Sequence, residues 1–199
     1  MKKLLYIVCI FASLLSFSCA SSGNLIPGQN KVKLQNIYSE YYNIAEAYFN
    51  LKNYSKALTY YNLCLENQSL HNNAYYKSGL CYIYTKKWDE ALQIFSELYK
   101  NDAENASLKS TFAYINFMKD DKEKAISLYE ELYSQYPENM EYLENLIAVY
   151  IAKEDNSMVE EKLAVLKENF PSSTKISKIE EYLQKLNKEN QEEETSSAQ

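Results

Sequence analysis

The side chains that could do chemistry in this chain are few. One histidine, His71, stands among 27 acidic residues, and four cysteines fall at positions 9, 19, 64 and 81. A nucleophile–base triad, a catalytic metal centre or a proton shuttle needs more imidazole than that, or thiols at metal-ligand spacing, and no CxxC is present. The carboxylates are spread over helix faces and turns, with no pair marked as an acid–base couple. His71 reads as an exposed turn residue. No catalytic residue, no metal site and no cofactor is therefore expected. The net charge of −6 also argues against a nucleic-acid partner, because phosphate binding needs a basic face. What the chain has in excess is tyrosine, 20 residues of 199. Tyrosine offers a large rigid face with a polar tip, which suits recognition rather than catalysis.

Cys19 is the exception among the thiols, because of where it stands. Lys2 and Lys3 precede an apolar run from Leu4 to Phe17, 14 residues long. A helix of that length spans roughly 21 Å, short of the ~30 Å hydrocarbon core, so the run reads as an export signal (residues 1–18) rather than a resident membrane span. Cys19 follows directly, in the context Leu15-Ser16-Phe17-Ser18-Cys19. This resembles a relaxed lipobox of bacterial lipoproteins, with leucine one residue further back than usual and the small Ser18 in place. The resemblance implies acylation of the Cys19 thiol and a membrane-anchored lipoprotein facing the periplasm or the cell exterior. Conventional cleavage is the alternative, since Ser16-Phe17-Ser18 and Ser18-Cys19-Ala20 both offer small residues at the required positions. Residues 19–36 are read as the lipidated cysteine and a flexible tether, on their Ser, Gly, Asn and Pro27-Gly28 content.

The elements that would position the tyrosines are set by a period. Ala45, Gly79 and Ala113 recur at 34-residue intervals, as do Ala57, Ala91 and Ala125, and the aromatic residues Tyr61, Phe95 and Tyr129. Pro137 and Pro171 keep the same interval. With three glycines and three prolines in the whole chain, this is the pattern of stacked helix pairs joined by short polar turns. The repeats run 38–71, 72–105, 106–139 and 140–173. Small residues at positions 8 and 20 let two helix axes approach, and large residues at 4, 11, 17 and 24 fill the space beside the crossing. The turns are Lys52-Asn53, Lys86-Lys87, Asp120-Asp121 and Glu154-Asp155. The fourth unit departs most, with Ile147 and Val159 at the crossing, and the third has Asn116 where an aromatic is expected. Ile176, Ile179, Leu183 and Leu186 then share one face of a helix that would cap the array (174–188), and residues 189–199 read as a disordered acidic tail.

The motif Tyr75-x2-Ser78-Gly79-x2-Tyr82 followed by Ala91-x3-Phe95 resembles the tetratricopeptide repeat. That resemblance implies an all-α, right-handed α-solenoid of four 34-residue helix pairs plus a capping helix, spanning residues 37–188. It also implies a concave groove lined by the first helix of each pair. Carried onto this chain, the groove positions are Tyr42, Glu46, Phe49 and Asn50 in the first repeat; Tyr76, Leu80, Ile83 and Tyr84 in the second; Tyr114, Phe117 and Met118 in the third; and Glu141, Glu144 and Ile151 in the fourth. Lysine and asparagine, which clamp a peptide carboxylate in some relatives, are absent from the corresponding positions of the first two repeats. Cys64 and Cys81 fall at small-residue core positions, either as two buried thiols or, after export, as a disulfide.

The expected function is a non-enzymatic scaffold, held at a membrane by its N-terminal lipid, that binds a peptide or partner protein in an aromatic groove. Lipoproteins of the resembled kind serve outer-membrane assembly, pilus biogenesis and recruitment of cell-wall enzymes. The alternative is an accessory subunit of a transport system holding a small apolar solute or lipid in the same concavity. The sequence leaves the oligomeric state open.

Overall fold

The computed structural model describes the backbone of residues 29–197 and the side chains of residues 31–189. The expected signal segment, Cys19 and the tether as far as Gly28 lie outside the described residues. Within them the chain forms α1 (Gln29–Asn50), α2 (Tyr54–Cys64), α3 (His71–Tyr84), α4 (Trp88–Asn101), α5 (Ala106–Met118), α6 (Lys122–Gln135), α7 (Met140–Lys153), α8 (Asn156–Asn169) and α9 (Ile176–Ser197). No strand occurs among the described residues. Each helix packs on the next in chain order, from α1 on α2 to α8 on α9. This is the quasi-linear topology of an array in which each unit touches its neighbours.

The same backbone device closes all four helix pairs. Lys52, Lys86, Asp120 and Glu154 have left-handed φ values of 58, 58, 68 and 61°. After each of them, an amide reaches back across the turn: Asn53 to the Tyr48 carbonyl, Lys87 to Tyr82, Asp121 to Asn116 and Asp155 to Tyr150, at 2.9–3.1 Å. The left-handed residues bond to Phe49, Ile83, Phe117 and Ile151. This is the Schellman arrangement, which satisfies the last carbonyls of a helix. The residue after each turn then starts the second helix. Asn53, Asp121 and Asp155 each accept a hydrogen bond from the amide three residues on. Lys87, at the same place in the second repeat, makes no side-chain cap. Lys87→Asn should therefore stabilise the protein by about 1 kcal/mol in urea denaturation.

Burial follows the repeat register. Ala45, Ala113 and Ile147 at position 8, and Ala57, Ala91, Ala125 and Val159 at position 20, are fully inaccessible. Gly79 is buried too, and a Cβ added there would lie 2.6 Å from a Phe95 ring carbon. Tyr61, Phe95, Tyr129 and Leu163 at position 24 fill the space between helices. Asn116, in place of an aromatic, is buried and turns its side-chain amide onto the Phe112 carbonyl at 2.7 Å. That local bond removes the cost of an unpaired amide.

Two boundaries differ from the expectation, and one turn between repeats is longer than the turns within them. The first helix begins at Gln29 rather than near residue 37. Pro27-Gly28 is the last break before it, and residues 29–36 contain neither glycine nor proline, so the helix extends back to that break. Helix α2 stops at Cys64, and residues 65–70 form a longer turn built on Asn67. Its buried side chain accepts from the Ser69 and Leu70 amides. Helix α9 runs to Ser197, where a disordered tail was expected from residue 189. Residues 189–194 are Glu, Asn, Gln, Glu, Glu, Glu, mostly good helix formers that prolong a helix already nucleated by the cap.

Candidate functional site

The second, third and fourth repeats turn their first helices toward one open groove of about 580 Å³. Leu80, Ile83 and Tyr84 from α3, Tyr114 and Met118 from α5, and Glu141 and Asn145 from α7 line it, with Trp88 and Tyr129 reaching in from the second helices. The rings are braced rather than loose. Tyr84 stacks on Tyr54 at a centroid distance of 4.5 Å and meets Phe49 edge-on at 5.7 Å, yet it is 54% exposed. Tyr114, 39% exposed, stands edge-on to Trp88 at 6.1 Å. Tyr129 forms the floor. Its hydroxyl donates to the Ser110 carbonyl at 3.4 Å, and burial pushes its pKa up, so it stays neutral. Lys86 and Glu141 add charged groups to the lining. A rigid aromatic surface with polar groups among the rings is suited to binding apolar side chains on a polar backbone.

Of the groove positions inferred from sequence, Leu80, Ile83, Tyr84, Tyr114, Met118 and Glu141 line this concavity together. The others do not. Tyr42 lies edge-on to Tyr61 at 5.6 Å. Phe49 packs against Tyr54, Tyr61 and Tyr84. Glu46 accepts a short hydrogen bond from the Tyr61 hydroxyl and pairs with Lys77 at 3.0 Å, and Lys77 in turn sits 4.8 Å over the Phe49 ring. Desolvation, then the bond to Glu46, drive the Tyr61 pKa far up. The first-repeat residues thus satisfy one another. Asn50 is exposed at the end of α1, away from the groove. Tyr76 is turned edge-on to Phe95 at 5.6 Å and joins the core around it. Phe117 is half-buried against the C-terminal core.

Glu144 departs furthest from expectation. It is buried, accepting from the Ser173 hydroxyl at 2.6 Å and from the Lys175 ammonium at 2.8 Å. Ile151 shares a small hollow with it beneath α9. Burial alone would raise the Glu144 pKa, but the bonds from Lys175 and Ser173 outweigh it and hold the carboxyl below its usual range. A depressed carboxyl contributes stability that is present above its unfolded pKa and is lost as pH falls through the folded value. Wild type should therefore exceed Glu144→Gln in stability most at neutral pH, the gap closing below about pH 4. Denaturation across pH checks this.

Trp88, Tyr129, Lys86, Ser110, Thr111 and Asn145 line the groove without having been inferred as groove residues. Trp88 and Tyr129 were legible as packing residues at positions 17 and 24, and they serve the groove with their outer edges. Cys64 and Cys81 are free, fully buried thiols. Desolvation pushes Cys81 up to about 12, so it is protonated at neutral pH. His71 is exposed, at the first turn of α3 rather than in a loop. Its Nδ1 lies 2.8 Å from the Leu65 carbonyl and its ring stacks on Tyr75. Among the described residues no helix is long and apolar enough to cross a membrane.

Comparison with known proteins agrees with this architecture. Tetratricopeptide repeat models match residues 41–69, 73–105 and 106–139. No curated protein matches the chain. Among solved structures, MamA of Desulfovibrio magneticus RS-1 superposes with a TM-score of 0.62 at 20% identity, over 69% of this chain and 77% of that one. A tetratricopeptide repeat protein of Parabacteroides merdae gives 0.60 at 18% identity, over 82% and 70%. PilF of Pseudomonas aeruginosa gives 0.56 at 17% identity, over 73% and 66%. At these identities the likeness is one of fold. Residues 41–139 carry tetratricopeptide repeats, and the chain folds as an all-α tetratricopeptide solenoid.

Proposed function

We propose that this protein is a membrane-anchored, non-enzymatic scaffold that holds a segment of a partner protein in the groove formed by α3, α5 and α7. Tetratricopeptide repeats are in general protein-interaction modules, and the groove is the surface we read as the binding site. The observation that carries the reading is the exposure of braced rings, Tyr84 and Tyr114 above all, in a 580 Å³ concavity. Large aromatic side chains half-open to water and held rigid are the kind that become binding hot spots. A bound segment would lay apolar side chains on Leu80, Tyr114 and Met118, with its backbone within reach of Asn145 and Thr111. The membrane anchor rests on Cys19, behind the apolar run, and places the scaffold at a bacterial envelope during assembly of its components.

The two parts are tested separately. Tyr84→Ala with Tyr114→Ala should abolish retention of the partner while leaving the helical melt intact, each ring contributing about 2 kcal/mol. Cys19→Ser should release the protein from membranes. Retention of Cys19→Ser in the membrane fraction removes the anchor and leaves the scaffold reading standing. A tightly held small apolar molecule, seen by native mass spectrometry, would replace the protein partner with a solute.

A further inference from the structure

The first helix is longer than its repeat requires, and its extension carries exposed apolar side chains. In the fourth repeat, positions 4, 7 and 11 of the first helix are Leu143, Leu146 and Tyr150, all buried. The same positions in α1 are Tyr41, Ile44 and Tyr48, each open to solvent in part, because among the described residues no repeat packs against them from the N-terminal side. The stripe continues backward through Ile37 and Leu34, which are 44% and 53% exposed. Leu34, Ile37, Tyr41, Ile44 and Tyr48 are spaced 3, 4, 3 and 4 residues apart. Tyr41 and Tyr48 already pack on Tyr60 of α2, so the part of this stripe left to meet another helix is Leu34 and Ile37. The overhang is tied to the turn after α2 by Gln35, bonded to Ser69 and Asn67, and Leu34 lines the hollow beside that contact.

We propose that two copies of this chain pair through the overhangs of α1, antiparallel about a two-fold axis near residues 35 and 36. Charge selects the second copy over other occupants. Lys33 and Glu40 lie seven residues apart, on the free flank of the seam, and neither makes an ion pair among the described residues. In the antiparallel register that sets Leu34 against Ile37 of the second copy, Lys33 meets Glu40 of that copy, and the reverse pair forms by symmetry. The far end of the array does not offer such a face: α9 presents exposed Lys178, Glu181 and Lys185 on its outer side. An overhang of about eight residues is marginal as an isolated helix in water, and pairing gives it the tertiary contact it lacks.

The test is sedimentation of the full chain in density-matched detergent. A dimer is expected, with Ile37→Glu a monomer of unchanged helicity and cooperative melting. Lys33→Glu and Glu40→Lys should each weaken the dimer roughly tenfold, and the double reversal should restore it. A wild-type monomer at about 100 μM, a dimer that survives Ile37→Glu, or a double reversal no tighter than the single ones overturns the proposal.

Discussion

Phe95→Ala should destabilise the protein by about 3–5 kcal/mol, the largest effect of any single truncation in the second repeat. The ring is fully buried and lies against the one glycine of the helix array, where an added Cβ would sit 2.6 Å from Phe95 Cε2 and 2.9 Å from Ile94 Cγ2. Gly79→Ala should in turn cost about 1–2 kcal/mol. Overpacking of about 1–3 kcal/mol there exceeds the gain of about 1 kcal/mol from replacing glycine inside a helix. The two effects are coupled. With Phe95 cut to alanine, only Ile94 opposes the new methyl, and the Gly79→Ala penalty should fall by at least about 1 kcal/mol. Urea denaturation of the four proteins of this cycle measures the coupling directly. Additive penalties would mean that the close approach of ring and backbone is not what requires glycine at 79.

The second large effect concerns a charge. Lys109 occupies position 4 of the third repeat, where the first two repeats have Tyr41 and Tyr75. It is 2% exposed, with its ammonium 2.5 Å from a Glu131 oxygen. Burial pulls its pKa down, and the Glu131 bond and charge reverse the sign and leave it raised. Glu131 itself is 48% exposed, so water reaches the pair from that end. Glu131→Ala should then cost about 1–3 kcal/mol at neutral pH, less than a wholly buried pair would. Lys109→Met in the Glu131→Ala background should recover most of that loss, because it removes the stranded charge and keeps the stem. Denaturation of the single and double variants at pH 7 checks both statements. A raised lysine contributes stability below its unfolded pKa that fades as pH rises through the folded one, so the Glu131→Ala penalty should also shrink in strong alkali.

These two sites mark what was legible in the sequence. The phase of the array was readable at Gly79, Ala91 and Phe95, because close helix crossing admits few residue types and the period repeats the demand. The turns were readable too, down to their residues, although Lys52, Lys86, Asp120 and Glu154 give no hint of left-handed backbone by type. It is the register, repeated four times, that assigns them. Lys109 was not legible as core, since a lysine carries no signal of burial until the position of Glu131 is known. The groove was half legible. Tyr84, Tyr114 and Met118 could be placed from register, but Tyr76 and Phe49 share that register and turn inward onto Phe95 and Tyr61. Which way a ring falls depends on the neighbour across the helix pair, and one helix's periodicity does not contain it. Glu144 shows the same limit. Its register pointed to the groove, while Ser173 and Lys175, 29 and 31 residues on, draw it under the cap.

The groove carries the functional account, and a photo-crosslinking residue at position 114 tests it most directly. Crosslinking would be run in cells of the native host, with the same residue at exposed Thr59, outside the groove, as control. One defined protein should be captured from position 114 and not from position 59, and Tyr84→Ala should abolish the capture while the protein stays folded. Equal capture from both positions, or capture indifferent to Tyr84, would contradict the assignment of partner binding to this groove.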